Sequence, residues 1–128
     1  MGIGSGIILS HRDLRVWQEA MDLAEAACRA AADTPPRWRF PLADQAIRAA
    51  ASIPANIAEG YGRESAGSYT QFLKIARGSL NELDTHILLA QRLGAFSDAQ
   101  TQPLLQKSER VGKMLNALIK SVQRSAGK

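Results

Sequence analysis

The groups able to do covalent or metal chemistry are few in these 128 residues: one thiol, Cys28, and two imidazoles, His11 and His86. Nucleophilic catalysis needs a nucleophile, a base and a group that orients the base. His11 sits in a glycine-rich leading segment, and His86 has Glu82 as its one acidic neighbour at helical spacing. One cysteine and two distant histidines do not make a zinc ligand set. A di-iron bundle needs a Glu-x-x-His pair on each of two helices. Glu82-Leu83-Asp84-Thr85-His86 has the wrong spacing and occurs once. Gly60-Tyr61-Gly62-Arg63-Glu64 has the glycines of a phosphate loop, but no strand precedes it and no lysine follows. A helix-ending turn explains it better. No cofactor, metal or catalytic residue is expected.

Two polar patterns carry more. Arg48, Ser52, Asn56, Glu59 and Arg63 fall within about 80° of one helix face. Pro54 interrupts the same segment and frees the carbonyl of Ala50. With Glu82, which can pair with Arg48, these residues make either a satisfied network that fixes helix register or a recognition site. The second pattern is a basic stripe, Arg110, Lys113, Lys120 and Arg124, within another arc of about 80°. Arg12, Arg15, Arg37 and Arg39 can extend it. Lysines and arginines neutralise phosphates without reading bases. Trp38 can stack on a base or anchor its loop.

Charge distribution supports the second pattern. The chain carries +4, yet Pro103 to Lys128 holds six basic residues and a single acid, Glu109. The excess therefore sits on the last segment, where an anionic partner or a solvated helix face accounts for it.

The elements that position these groups are helical. Apolar residues recur at helical spacing, and β-branched residues never alternate with polar ones. Helices are expected from about Asp13 to Asp33, Pro41 to Gly62, Ser68 to Leu93, and Ser97 or Asp98 to Ser125. Pro35-Pro36, Gly62 and Gly94 mark the breaks. Short connections make sequential helices antiparallel, so the expected fold is an all-α, up-down-up-down four-helix bundle over residues 12–125, preceded by a flexible arm over 1–11. Gly78 and Ser79 allow a close neighbour, for which Ala49-Ala50-Ala51-Ser52 is the natural partner.

The first helix has two apolar stripes: Leu14, Trp17, Met21, Ala24 and Cys28, and Val16, Ala20, Leu23, Ala27 and Ala30. Together they cover about 200° of its circumference. One stripe can face the bundle core. The other predicts a second subunit, with Val16, Ala20, Leu23 and Ala27 at the interface.

Three blocks resemble a known family. They are Arg12-Asp13-Leu14-Arg15-Val16-Trp17-Gln18-Glu19-Ala20-Met21-Asp22-Leu23-Ala24, then Ala49 to Arg63 containing Ser52-Ile53-Pro54-Ala55-Asn56-Ile57-Ala58-Glu59-Gly60, then Phe72-Leu73-Lys74-Ile75-Ala76-Arg77-Gly78-Ser79-Leu80-Asn81-Glu82-Leu83. With a weaker block at Lys113 to Ile119, the chain resembles the four-helix bundle proteins encoded in intervening sequences of bacterial 23S ribosomal RNA genes. The resemblance implies a ring-like homopentamer. It also implies kinship with accessory bundle proteins of diversity-generating retroelements, which bind nucleic acid and a reverse transcriptase. It brings no enzymatic activity. The chain departs from the family pattern at Gln45 to Ala49, where Arg48 stands without a second basic residue beside it, and at Cys28-Arg29, where an aromatic residue is common.

The reading at this level is a cytoplasmic, non-enzymatic oligomer that binds RNA or DNA through basic outer surfaces, with no membrane partner. The alternative is a scaffold for another bacterial protein.

Overall fold

The computed structural model describes residues 7–127, and among them every regular element is helical. Four long helices form the body: α1 Arg15–Ala32, α2 Asp44–Tyr61, α3 Ala66–Arg92 and α4 Asp98–Ala126. Each packs on its sequence neighbours, and α1 closes the ring against α4. The order around the bundle is therefore the order in the chain, as short antiparallel connections require.

The helix ends follow local chemistry. Ser97 accepts from the amide of Gln100, and the Gln100 side chain accepts from the Ser97 amide at 2.8 Å, a reciprocal cap that starts α4. Ser65 caps α3, accepting from the Ser68 amide at 3.1 Å, so this helix begins two residues before Ser68. Gly94 ends α3 with φ +77°, and the amides of Gly94 and Ala95 close onto Gln91 and Ala90. That left-handed turn favours glycine. Between α1 and α2, one helical turn, Pro36–Trp38, leads into a wide π-helical turn, Arg39–Ala43.

The expected arm is described from Ile7 onward, and its first part, Met1 to Gly6, lies outside the described residues. Ile7, Ile8 and Leu9 are exposed. The amides of Leu9 and Ser10 donate to the Asp13 carboxylate at 2.8 and 3.2 Å, holding a short 3-10 turn, His11–Asp13, against α1 and α2.

The core is built from Leu23 of α1, Ile53 and Ile57 of α2, Leu73, Leu83 and Ile87 of α3, and Val111 and Leu115 of α4. This corrects one expectation. Val16, Ala20, Leu23 and Ala27 do not await a second subunit; they are buried within the single chain, Val16 at 5% exposure and Leu23 at 0%. The physical reason is that α1 touches both α2 and α4, and two neighbours shelter more of its circumference than one. The other stripe is the more open one. Leu14, Trp17, Ala24 and Cys28 are half-buried and Met21 is 44% exposed. The N-terminal turn covers part of it, with the His11 ring edge-on to Trp17 at 5.1 Å.

Candidate nucleic-acid interface

The polar stripe of α2 divides into separate parts. Asn56 donates to the Ser52 carbonyl at 2.8 Å and to the Ser52 hydroxyl at 2.9 Å. The Ser52 and Ser79 hydroxyls lie 2.7 Å apart and share a hydrogen bond. This small half-buried cluster ties α2 to α3 and satisfies its own members. It does not reach the Ala50 carbonyl that Pro54 frees. Arg63 pairs with Glu59 at 2.9 Å and lies over the Phe72 ring at 4.5 Å. Glu82 faces His86 at 3.6 Å rather than Arg48, which is exposed. The expected six-residue network is thus one serine–asparagine knot with charged pairs at its margins.

Glycines set the spacing of the same two helices. A β-carbon added at Gly60 would lie 2.9 Å from Cβ of Phe72 and 3.1 Å from Cδ1 of Tyr69. Gly60 therefore lets α2 and α3 approach. Gly78 does not, contrary to expectation: it is exposed, and nothing lies within 4 Å of an added β-carbon. Tyr69, edge-on to Tyr61 at 6.2 Å, is half-buried, and burial followed by the neighbouring Tyr61 raises its phenol above the usual range.

The basic stripe of α4 lies outward as expected: Arg110, Lys113, Lys120 and Arg124 are all exposed. Their neighbours distinguish them. Arg110 pairs with Glu19 of α1 at 3.2 Å, and Lys107 shares an open cleft with Asp22, Glu25 and Arg29. The α1–α4 face is therefore charge-balanced. Lys113 pairs with Glu109 at 3.8 Å, and both side chains are well exposed, so this contact contributes little.

The α3–α4 face is different. Arg77 donates to Asn116 at 3.0 Å, Leu80 lies against Gly112, and Ser108 donates to the Asp84 carboxylate, which together fix an antiparallel register. Lys74 and Gln123 line one open cleft of about 270 Å³ farther along. That register runs Lys74 and Arg77 alongside residues 116–123 of α4, with Lys120 within this stretch and Lys113 and Arg124 just beyond its two ends. Residues 66–81 and 112–126, which form this half of the face, contain those five cations and no carboxylate. The sequence reading missed Lys74 and Arg77. The gap in acidic residues was visible in both segments, but only the α3–α4 pairing makes it one surface.

The other expected members fall at opposite ends of the bundle. Arg12 and Arg15 are exposed at the start of α1, at the end of the bundle where α4 finishes. Arg37 and Arg39 lie on the connection at the opposite end, separated from Arg124 by the length of α4, about 43 Å at 1.5 Å per residue. They cannot extend the stripe. Trp38 is half-buried against the core with Arg37 over its ring at 5.7 Å, and its indole N–H is buried without a partner. It anchors the connection and offers no open face for a base.

Among the described residues, no group of three His, Cys, Asp or Glu side chains converges as a metal site, and no helix is long and apolar enough to cross a membrane.

The fold is similar to that of a protein of unknown function from the S23 ribosomal protein family of Bacteroides thetaiotaomicron, known from a crystal structure at 1.70 Å resolution. The TM-score is 0.74 at 23% identity, covering 82% of this chain and 98% of that one. No curated protein matches the chain. Neither that structure's description nor the matching family's names a reaction. The family described as 23S rRNA-intervening sequence protein matches residues 12–117, which take in α1 to α3 and α4 as far as Ala117, and the chain belongs to that family.

Proposed function

We propose that this protein is a non-enzymatic, homo-oligomeric bundle that binds RNA or DNA without sequence preference through the α3–α4 face. One observation carries the reading: Lys74, Arg77, Lys113, Lys120 and Arg124 lie on two helical segments, 66–81 and 112–126, that contain no carboxylate, with Glu109 at the margin beside Lys113. Such a surface neutralises phosphates and offers nothing that distinguishes bases. Self-assembly is supported by exposed apolar side chains on other faces, Met21 of α1 and Ile75 of α3, and by exposed Gly78, which costs α3 about 1 kcal/mol relative to alanine with no return inside the chain. Five copies is the number that the family resemblance implies.

A scaffold for another protein is the second reading. It draws on Phe40, 79% exposed, and on Leu89 and Leu93, exposed toward the same end of the bundle. Charge reversal separates the two. The triple variant Lys113→Glu/Lys120→Glu/Arg124→Glu should lose binding of labelled RNA by more than about a hundredfold in a fluorescence anisotropy titration. Arg37→Glu/Arg39→Glu should leave it unchanged. Absence of RNA and DNA binding by the unaltered protein at low salt would leave only the scaffold.

A further inference from the structure

We infer that the α3–α4 face takes a double-stranded nucleic acid rather than a single strand; this rests on the phosphate-binding reading above. A non-specific single-strand site combines a basic groove with aromatic platforms on which successive bases stack. This face has neither. Its aromatic residues, Tyr69 and Phe72, are half-buried and engaged toward α2, Tyr69 with Tyr61 and Phe72 under Arg63. Its surface is that of two packed antiparallel helices, with one shallow, open cleft of about 270 Å³ at the end nearer Lys74. The cations form two rows. Lys113, Lys120 and Arg124 span about 16 Å along α4. Lys74 and Arg77 lie on α3, whose axis is about 8–10 Å away. Asn116 holds the Arg77 guanidinium in place.

Two cation rows on neighbouring helices, carried on side chains that extend beyond the axes, can reach phosphates on both sides of a B-form groove about 12 Å wide. A duplex presents those phosphates already ordered, at one charge per about 1.7 Å of axis. A flexible strand would have to be straightened on a surface with nothing to stack it. DNA and RNA duplexes both offer ordered phosphates, and the narrow major groove of A-form RNA is what can distinguish them on this face.

The test is a competition among a short labelled DNA duplex, an RNA duplex of equal length and an oligo-dT of that length, in fluorescence anisotropy at about 100 mM salt. Both duplexes should bind roughly tenfold tighter than oligo-dT or better, and a difference between them identifies the favoured source. Lys74→Glu/Lys120→Glu removes one exposed cation from each row. It should weaken duplex binding by roughly tenfold or more and lower the salt slope by about 2, with the helical circular dichroism unchanged. Oligo-dT binding as tightly as the duplexes would overturn this inference and leave phosphate binding standing. A duplex affinity untouched by the double variant would also overturn it, because the rows would not be the site. No binding to any of the three at about 50 mM salt would overturn the underlying function as well.

Discussion

At the residue scale, Gly60 in the last turn of α2 and Gly78 in the middle of α3 have opposite surroundings. Gly60 sits where a β-carbon would strike Phe72 and Tyr69, whereas Gly78 faces open space. Alanine gains about 1 kcal/mol of helix propensity at Gly78 and less at Gly60, which is next to the end of its helix. At Gly60 that gain is outweighed by overpacking, which costs typically 1–3 kcal/mol, so Gly60→Ala should lower stability by about 1 kcal/mol in urea unfolding. Gly78→Ala should raise the stability of the single chain by about 0.5–1 kcal/mol. If Gly78 is reserved for a second copy, the same change should reduce the mass seen by light scattering. Equal effects at the two sites would contradict the assignment. The serine–asparagine knot shows how far residue types alone reach: the helical spacing of Ser52 and Asn56 was readable, but Ser79 joins them through the packing of α3 on α2.

At the element scale, helix positions were largely legible, because caps and breakers act locally. Ser97 with Gln100 and Gly94 with its left-handed turn are determined by residues within one turn. The facing of α1 was not legible. Both of its stripes are apolar at helical spacing, and periodicity cannot say which points at the bundle axis. The structure gives that role to Val16, Ala20, Leu23 and Ala27, and leaves Met21 outside. Leu23→Ala should therefore destabilise the single chain by about 2–5 kcal/mol, as truncation of a fully buried leucine does, independently of protein concentration. Met21→Ala should cost far less in a dilute sample. Thermal denaturation followed by circular dichroism, repeated over a range of concentrations, checks both. A Leu23→Ala effect that disappears on dilution would mean that Leu23 acts between chains.

At the scale of the whole molecule, the candidate site is an arrangement of charge rather than a pocket. The cations of α4 were legible as outward-facing, and Arg12, Arg15, Arg37 and Arg39 were the expected additions. Bundle geometry decides which cations share a face. Arg37 and Arg39 are carried to the far end, Arg110 is engaged by Glu19, and Lys74 and Arg77 arrive from α3 because antiparallel packing sets them beside Lys120 and Asn116. Which cations share a face depends on helix register, and register is settled by side-chain packing that no local pattern encodes. The same geometry places the carboxylates of α1 beside Arg110 and Lys107, so one face of α4 is neutralised and the other keeps its charge. The central claim, that the charged face neutralises phosphates, is tested most directly by the salt dependence of nucleic-acid affinity. Five cations predict that log K falls against log salt with a slope of about −4.5 for a duplex, a loss of roughly 500-fold between 50 and 200 mM. Replacing Lys74, Lys113 and Lys120 by alanine should reduce the slope to about −2. A slope near zero, or one that the three replacements leave unchanged, would contradict the account.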